Sequence, residues 1–216
     1  MPPFRDALSP LPLVAILRGL KPENAEAIGG ALVEAGFRII EVPLNSPCPF
    51  ESIERLAKAF ARQALIGAGT VLDPDDVGRV RDAGGGLIVM PHSDPAVIAR
   101  STELGLACTP GVATPNEAFA ALKSGATGLK MFPAENLPPV VVKAWRAVLP
   151  PDTILLAVGG IKPDTMKPYV EAGADGFGLG SALFSPSASP AEVRESARRF
   201  AEAWQSLRAR SGMLTK

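Results

Sequence analysis

Lys130 stands in Gly128-Leu129-Lys130-Met131-Phe132-Pro133, a short apolar run that stops at a proline. Such a run reads as a buried strand whose side chains alternate between faces, so Lys130 shares a face with Gly128 and Phe132. An amine among apolar neighbours pays a desolvation cost in its charged form, and its pKa falls. A neutral lysine amine attacks ketones, which is the chemistry of Schiff-base enzymes. Taken alone, a lysine that snorkels to water or pairs with a carboxylate is the commoner case. Glu41 lies in a second apolar run, Ile39-Ile40-Glu41-Val42-Pro43-Leu44, where a carboxylate must be paired or protonated. It is either an ion-pair partner of Lys130 or Arg18, or a general acid/base with a raised pKa. The two roles are compatible, and the presence of Lys130 favours catalysis.

Three further groups have the right chemistry for an anionic substrate. Arg18 ends Ala15-Ile16-Leu17-Arg18-Gly19 and offers a planar fork for a carboxylate, although pairing with Glu41 explains it nearly as well. Thr70 closes Gly67-Ala68-Gly69-Thr70, where glycines permit close backbone approach and a hydroxyl can donate to an anion; alone this is a weak signal. Gly159-Gly160 and Gly178-Leu179-Gly180-Ser181 are more specific. Their backbone N–H groups suit phosphate oxygens, and Ser181 could cap a short helix. His92 follows Pro91, and a lone histidine there is more often a polar rim residue than a catalyst.

The elements that must position these groups form a repeat. Short apolar runs at 13–18, 39–44, 64–70, 87–91, 106–111, 128–133, 154–160 and 176–181 alternate with amphipathic stretches. They are apolar on both faces and bounded by Gly or Pro, as parallel strands covered by helices should be. Helix starts are marked by Pro22-Glu23, Asp73-Pro74-Asp75, Thr114-Pro115-Asn116-Glu117 and Lys162-Pro163-Asp164. Stops are marked by Gly36, Gly84, Gly105, Gly125 and Gly173, each where a helix C-cap needs positive φ.

Eight strands alternating with helices predict an α/β chain forming one (β/α)8 TIM barrel over residues 1–216, with a short N-terminal capping segment and a loose tail at Ser211–Lys216. A doubly wound open sheet is the alternative, since alternation does not prove closure. Arg18-Gly19-Leu20 contains no GxGxxG, which argues against a dinucleotide site. In a barrel the active site gathers at the C-terminal strand ends, here Arg18, Glu41, Thr70, Pro91, Pro110-Gly111, Lys130, Gly159-Gly160 and Gly180-Ser181. Face-sharing by Ile16 and Arg18, Ile39 and Glu41, and Ala68 and Thr70 supports that convergence.

Composition narrows the function classes. Lys+Arg and Asp+Glu each total 22, for a formal net charge of zero, and no basic block is present, so nucleic acid and anionic membrane are not expected partners. Hydrophobic residues at 47% and charged residues at 20% suit a soluble globular chain. Leu11–Leu17 is short, interrupted by Pro12 and without a cleavage site, so it does not read as a signal peptide. Cys48 and Cys108 lack CxxC partners and read as free thiols in a reducing cytoplasm. One histidine leaves little basis for a His-rich metal site or a Ser-His-Asp hydrolase.

Ala15-Ile16-Leu17-Arg18-Gly19, Glu41-Val42-Pro43-Leu44-Asn45-Ser46, Gly67-Ala68-Gly69-Thr70-Val71, Leu129-Lys130-Met131-Phe132-Pro133 and Ala157-Val158-Gly159-Gly160 together resemble the 2-keto-3-deoxy-6-phosphogluconate/phosphogalactonate aldolase family. The resemblance runs in order from about Leu13 to Phe184. It implies a (β/α)8 homotrimer carrying out a metal-independent class I aldol cleavage without cofactor. It makes Lys130 the Schiff-base lysine and Glu41 the acid/base. Arg18 and Thr70 would hold the pyruvyl part, and Gly160 with Gly180-Ser181 the phosphate; Pro91, Phe132, Val158 and Gly159 join the substrate-binding set. Asn45 and Val158 replace an arginine and a Thr or Ser typical of phosphogluconate aldolases, and both look like the phosphogalactonate branch. The implied reaction cleaves 2-dehydro-3-deoxy-6-phosphogalactonate to pyruvate and glyceraldehyde 3-phosphate. The competing classes are an aldolase preferring the gluconate-derived epimer, a non-covalent phosphosugar isomerase, epimerase or synthase using Glu41 as base, and a phosphosugar-binding barrel without catalysis.

Overall fold

Every apolar run becomes a strand, and every strand is shorter than the run that announces it. The computed structural model describes residues 1–210, so the tail from Ser211 lies outside the described residues. The strands are β1 (Leu13–Ile16), β2 (Ile39–Pro43), β3 (Leu65–Gly69), β4 (Leu87–Val89), β5 (Ala107–Thr109), β6 (Gly111–Val112), β7 (Leu129–Met131), β8 (Leu155–Val158) and β9 (Gly176–Leu179). All pairings are parallel, in the order β5-β4-β3-β2-β1-β9-β8-β7-β6.

The fifth run was expected as one strand and is two. Pro110 has no N–H to give a ladder, so β5 ends before it and β6 begins after it. β5 pairs with β4 and β6 with β7, while Lys130 N–H donates to the Pro110 carbonyl at 2.9 Å. The two ends of the sheet are therefore consecutive pieces of chain, and the barrel closes through Pro110. The open doubly wound sheet is excluded.

Helices α2 (Ala25–Glu34), α3 (Pro49–Phe60), α4 (Pro74–Asp82), α5 (Pro95–Glu103), α6 (Pro115–Lys123), α7 (Pro139–Arg146), α8 (Met166–Glu171) and α9 (Pro190–Arg210) lie in the connections and after β9. The expected start signals are used. Asp73 accepts from Asp75 N–H at 2.9 Å, and Thr114 with Glu117 forms a capping box; such a cap stabilises by about 1 kcal/mol. Pro22 and Pro163 instead open 3₁₀ turns that lead into α2 and α8. Gly36, Gly84, Gly105, Gly125 and Gly173 all take positive φ at the helix ends.

Strand alternation sorts the apolar side chains into two shells. Ala15, Ile40, Val42, Ile66, Ala68, Ile88, Leu129, Met131, Leu155, Ala157, Phe177 and Leu179 face the helices. Val14, Ile16, Ile39, Leu65, Leu87, Val89, Leu156 and Val158 fill the barrel lumen. The N-terminal segment forms α1 (Phe4–Leu8), and its Phe4, Ala7 and Leu8 join the lumen cluster. The cap thus plugs the bottom of the lumen, leaving the C-terminal strand ends as its open side.

Candidate functional site

Lys130 sits in the middle of β7 with Leu129 and Met131 pointing out to the helices, so its side chain enters the lumen. It is 7% exposed, and its Nζ lies 4.7 Å from the centre of the Phe132 ring. Burial lowers its pKa, the negative charge of Glu41 works against that fall, and the positive charge of Arg18 adds to it. Desolvation is the larger influence, so the amine is easier to deprotonate than an ordinary lysine.

Glu41 faces the lumen from β2 and is 1% exposed. Burial raises its carboxyl from 4.5 to about 7, against the opposing pull of Lys130 and Arg18. Its Oε2 has no hydrogen-bond partner, and among the described residues no direct ion pair joins it to Lys130 or Arg18. The ion-pair reading is thereby corrected to attraction across a gap. The carboxyl fits only because β3 is glycine opposite it: a Cβ at Gly69 would overlap both Glu41 oxygens.

Above these groups opens a cavity of about 550 Å³. Arg18, Lys130, Phe132, Val158, Gly159, Gly160, Gly180 and Ser181 all line it. Beneath it, a void of about 10 Å³ is lined by Glu41, Lys130 and Val158, and that is the space of one water. Lys130 and Val158 border both spaces, which places Glu41 on the deep side of the amine. Gly159 and Gly160 take φ of 114° and 63°, turning the chain sharply at the rim. A Cβ at Gly180 would meet nothing within 4 Å, so the backbone there is open to a ligand.

Several expectations need correction. Ala68 faces the helices, so sharing its face would have aimed Thr70 away from the lumen. β3 ends at Gly69, and Thr70 takes φ 54°, a conformation that is costly for a β-branched residue and that breaks the alternation. Neither Thr70 nor Pro91 lines the cavity or the void below it. Ser181 caps no helix. Leu183 and Phe184 N–H groups both donate to the Gly180 carbonyl in a single turn, and Pro186 prevents its continuation. Exposed His92 and Asn45 are likewise outside the lining.

Other lining residues had not been singled out. Glu135, Lys162, Phe184, Ser185 and Pro186 border the cavity from the loops after β7, β8 and β9. Glu135 follows the lysine strand by a few residues, and Lys162 follows the double glycine; nearness to those two motifs was the available signal.

A parallel barrel with a desolvated lysine and a protonatable glutamate converging at its open end defines a lysine-centred (β/α)8 site. The chain belongs to the KDPG and KHG aldolase family, whose model matches residues 5–195. It is 52% identical over 186 residues to a probable 2-dehydro-3-deoxy-6-phosphogalactonate aldolase of Rhizobium meliloti (strain 1021), covering 86% of this chain and 88% of that protein. It is 44% identical to the 2-dehydro-3-deoxy-6-phosphogalactonate aldolase of Escherichia coli (strain K12), covering 90% of this chain and 95% of that one. A solved native KDPGal structure superposes with a TM-score of 0.90 at 43% identity, covering 91% and 96% of the two chains.

Proposed function

We propose that the protein is a class I aldolase cleaving 2-dehydro-3-deoxy-6-phosphogalactonate to pyruvate and D-glyceraldehyde 3-phosphate. The observation that carries this reading is the pairing of a lumen-facing Lys130, with lowered pKa, and Glu41, with its carboxyl near 7. Lys130 Nζ attacks the C2 ketone, and the Glu41 carboxyl gives its proton to the departing hydroxyl, so that loss of water leaves a protonated imine and an ionised Glu41. Glu41, acting through the one-water space, takes the proton of the C4 hydroxyl as the C3–C4 bond breaks. The bonding electrons move into the imine, leaving an enamine on Lys130 and releasing the aldehyde. Protonation at C3 and hydrolysis then free pyruvate and the amine.

In this reading Arg18 holds the carboxylate, and Phe132 borders the pyruvyl group. Gly159, Gly160, Gly180 and Ser181 supply the phosphate cradle, and Val158 presents an apolar wall to C4. Thr70 and Pro91, which line neither the cavity nor the void beneath it, are given no contact with the substrate in this reading. A homotrimer in the cytoplasm completes the proposal; among the described residues no helix is long and apolar enough to cross a membrane. The test is borohydride reduction with pyruvate, followed by peptide mass mapping. One reduced pyruvyl group on the Lys130 peptide is expected. Trapping at Lys143 or Lys162, or no trapping with cleavage intact, would replace it with a different lysine or a non-covalent mechanism.

A further inference from the structure

Glu135 is an exposed carboxylate at the border of the candidate cavity, near enough to Tyr169 for its charge to raise that phenol's pKa. It lies in the 3₁₀ turn Ala134–Asn136 after β7, and its side chain rests against Gly159-Gly160. A Cβ at Gly160 would come within 2.8 Å of its Cγ and 3.0 Å of its Cδ and Oε1, and a Cβ at Gly159 would overlap Oε2. The positive φ of both residues is what requires glycine here, and the missing side chains also leave room for this carboxyl. Among the described residues no hydrogen bond or ion pair engages it. Glu135 is, among the described residues, the only carboxylate bordering the main cavity, since Glu41 borders the void beneath.

A solvated carboxylate at the border of a ligand cavity, resting on two of the glycines that line it, is placed to accept from a hydroxyl that the ligand brings. Resting on the aldolase reading above, the substrate spans from the Lys130 imine to the phosphate at Gly180-Ser181. Its hydroxyls lie at C4 and C5. C4 sits beside the bond that breaks, close to Lys130 and Val158. C5 carries the phosphomethyl group, so it falls next to the glycine pair on which Glu135 lies. We propose that Glu135 is a specificity-determining residue that accepts a hydrogen bond from the C5 hydroxyl, and so selects hydroxylated, D-configured aldehyde phosphates. The repulsion between a carboxylate and a nearby phosphate is offset by Lys162, which borders the same end of the cavity and makes no ion pair among the described residues.

The test is aldol addition of pyruvate to D-glyceraldehyde 3-phosphate, its L-enantiomer and 3-phosphopropanal, which lacks the relevant hydroxyl. It compares wild type, Glu135→Gln and Glu135→Ala. Wild type should favour the D-aldehyde over the deoxy analogue by roughly ten- to a hundredfold in kcat/KM. Glu135→Ala should reduce that ratio to within about threefold, and Glu135→Gln, which keeps an acceptor oxygen, should retain part of it. The ratio is insensitive to a general loss of activity, so a merely structural role would leave it unmoved. An unchanged ratio in Glu135→Ala, with borohydride trapping at Lys130 intact in wild type, would overturn this assignment alone. Absence of trapping in wild type would overturn the aldolase reading and this one with it. A rise in kcat/KM for all three aldehydes in Glu135→Ala would show that the carboxylate repels phosphate and selects nothing, which also overturns it.

Discussion

Glu41→Gln should separate catalysis from stability in opposite directions. The carboxyl is buried, has one oxygen without a partner, and is raised from 4.5 to about 7. A folded-state value above the unfolded one means that the native chain binds the proton more tightly. Stability should therefore fall as pH rises from about 4.5 to about 7 and level off above, where both states are ionised. At about 1.36 kcal/mol per pKa unit, the loss is ~3 kcal/mol. Lys130 cannot mimic it: its lowered pKa makes stability rise as pH climbs toward 10.5. Glutamine keeps the shape and never ionises, so urea melts of the variant should lack that fall. In the same variant kcat should drop roughly 10²–10⁴-fold, the usual weight of a general acid/base. Parallel pH–stability profiles for wild type and variant would refute the buried-carboxyl argument, and a near-normal kcat would refute the catalytic one.

Lys130→Ala should abolish both borohydride trapping and cleavage, and activity assays in the presence of a chelator should match those without it, because the protonated imine itself withdraws the electrons. Val158→Thr should narrow or reverse a preference for the galactonate-derived epimer, read as side-by-side kcat/KM values. A buried hydroxyl without a partner costs about 1–3 kcal/mol, so the wild-type preference should be roughly ten- to a hundredfold. Gly69→Ala should destabilise by about 1–3 kcal/mol in urea melts and reduce kcat, because the new methyl overlaps the Glu41 carboxyl. Arg18→Met should raise KM for the keto acid more than it lowers kcat, as measured by initial rates.

Alternation made most of the lumen legible in the sequence. Counting by twos from Ile16, Ile39 and Gly128 brings Arg18, Glu41 and Lys130 inward, and each of these three groups borders the cavity or the void below it. The same count misled at Thr70, because its starting residue Ala68 faces the helices and the backbone at Thr70 is left-handed, so alternation does not carry through. The break at Pro110 was visible as a proline but read as a strand end, since only the sheet shows that pairing resumes at Gly111. Pro186, which stops the turn after Ser181 from continuing as a helix, is also visible in the sequence. Glu135 carried only its nearness to the lysine strand as a signal. An acid in the loop Ala134-Glu135-Asn136 reads as solvent-facing, and it is exposed; what the sequence does not show is that folding also lays it on glycines some twenty-five residues away.

Those glycines explain how a narrow lumen accommodates charge. A small barrel is normally filled by its own branched side chains, and near Lys130 three of those volumes are withheld. Gly69 leaves room for the Glu41 carboxyl, Gly159-Gly160 for Glu135, and Gly178 for Val158, whose Cγ2 would lie 2.7 Å from a Cβ there. In each case the side chain seated on the glycine belongs to a neighbouring strand or to the loop after one. The glycine is thus a space donor whose partner performs the chemistry or shapes the pocket. With a net charge of zero, the chain has no global field to draw an anion in. Recognition must come at contact range from Arg18, Lys130 and Lys162, and the glycines are what let those cations share one mouth with two carboxyl groups. The bottom of the lumen is treated in the opposite way, closed by Phe4 and Leu8 from α1. The buried Glu41 oxygen that lacks a partner thus stands toward the end where a substrate can offset its desolvation.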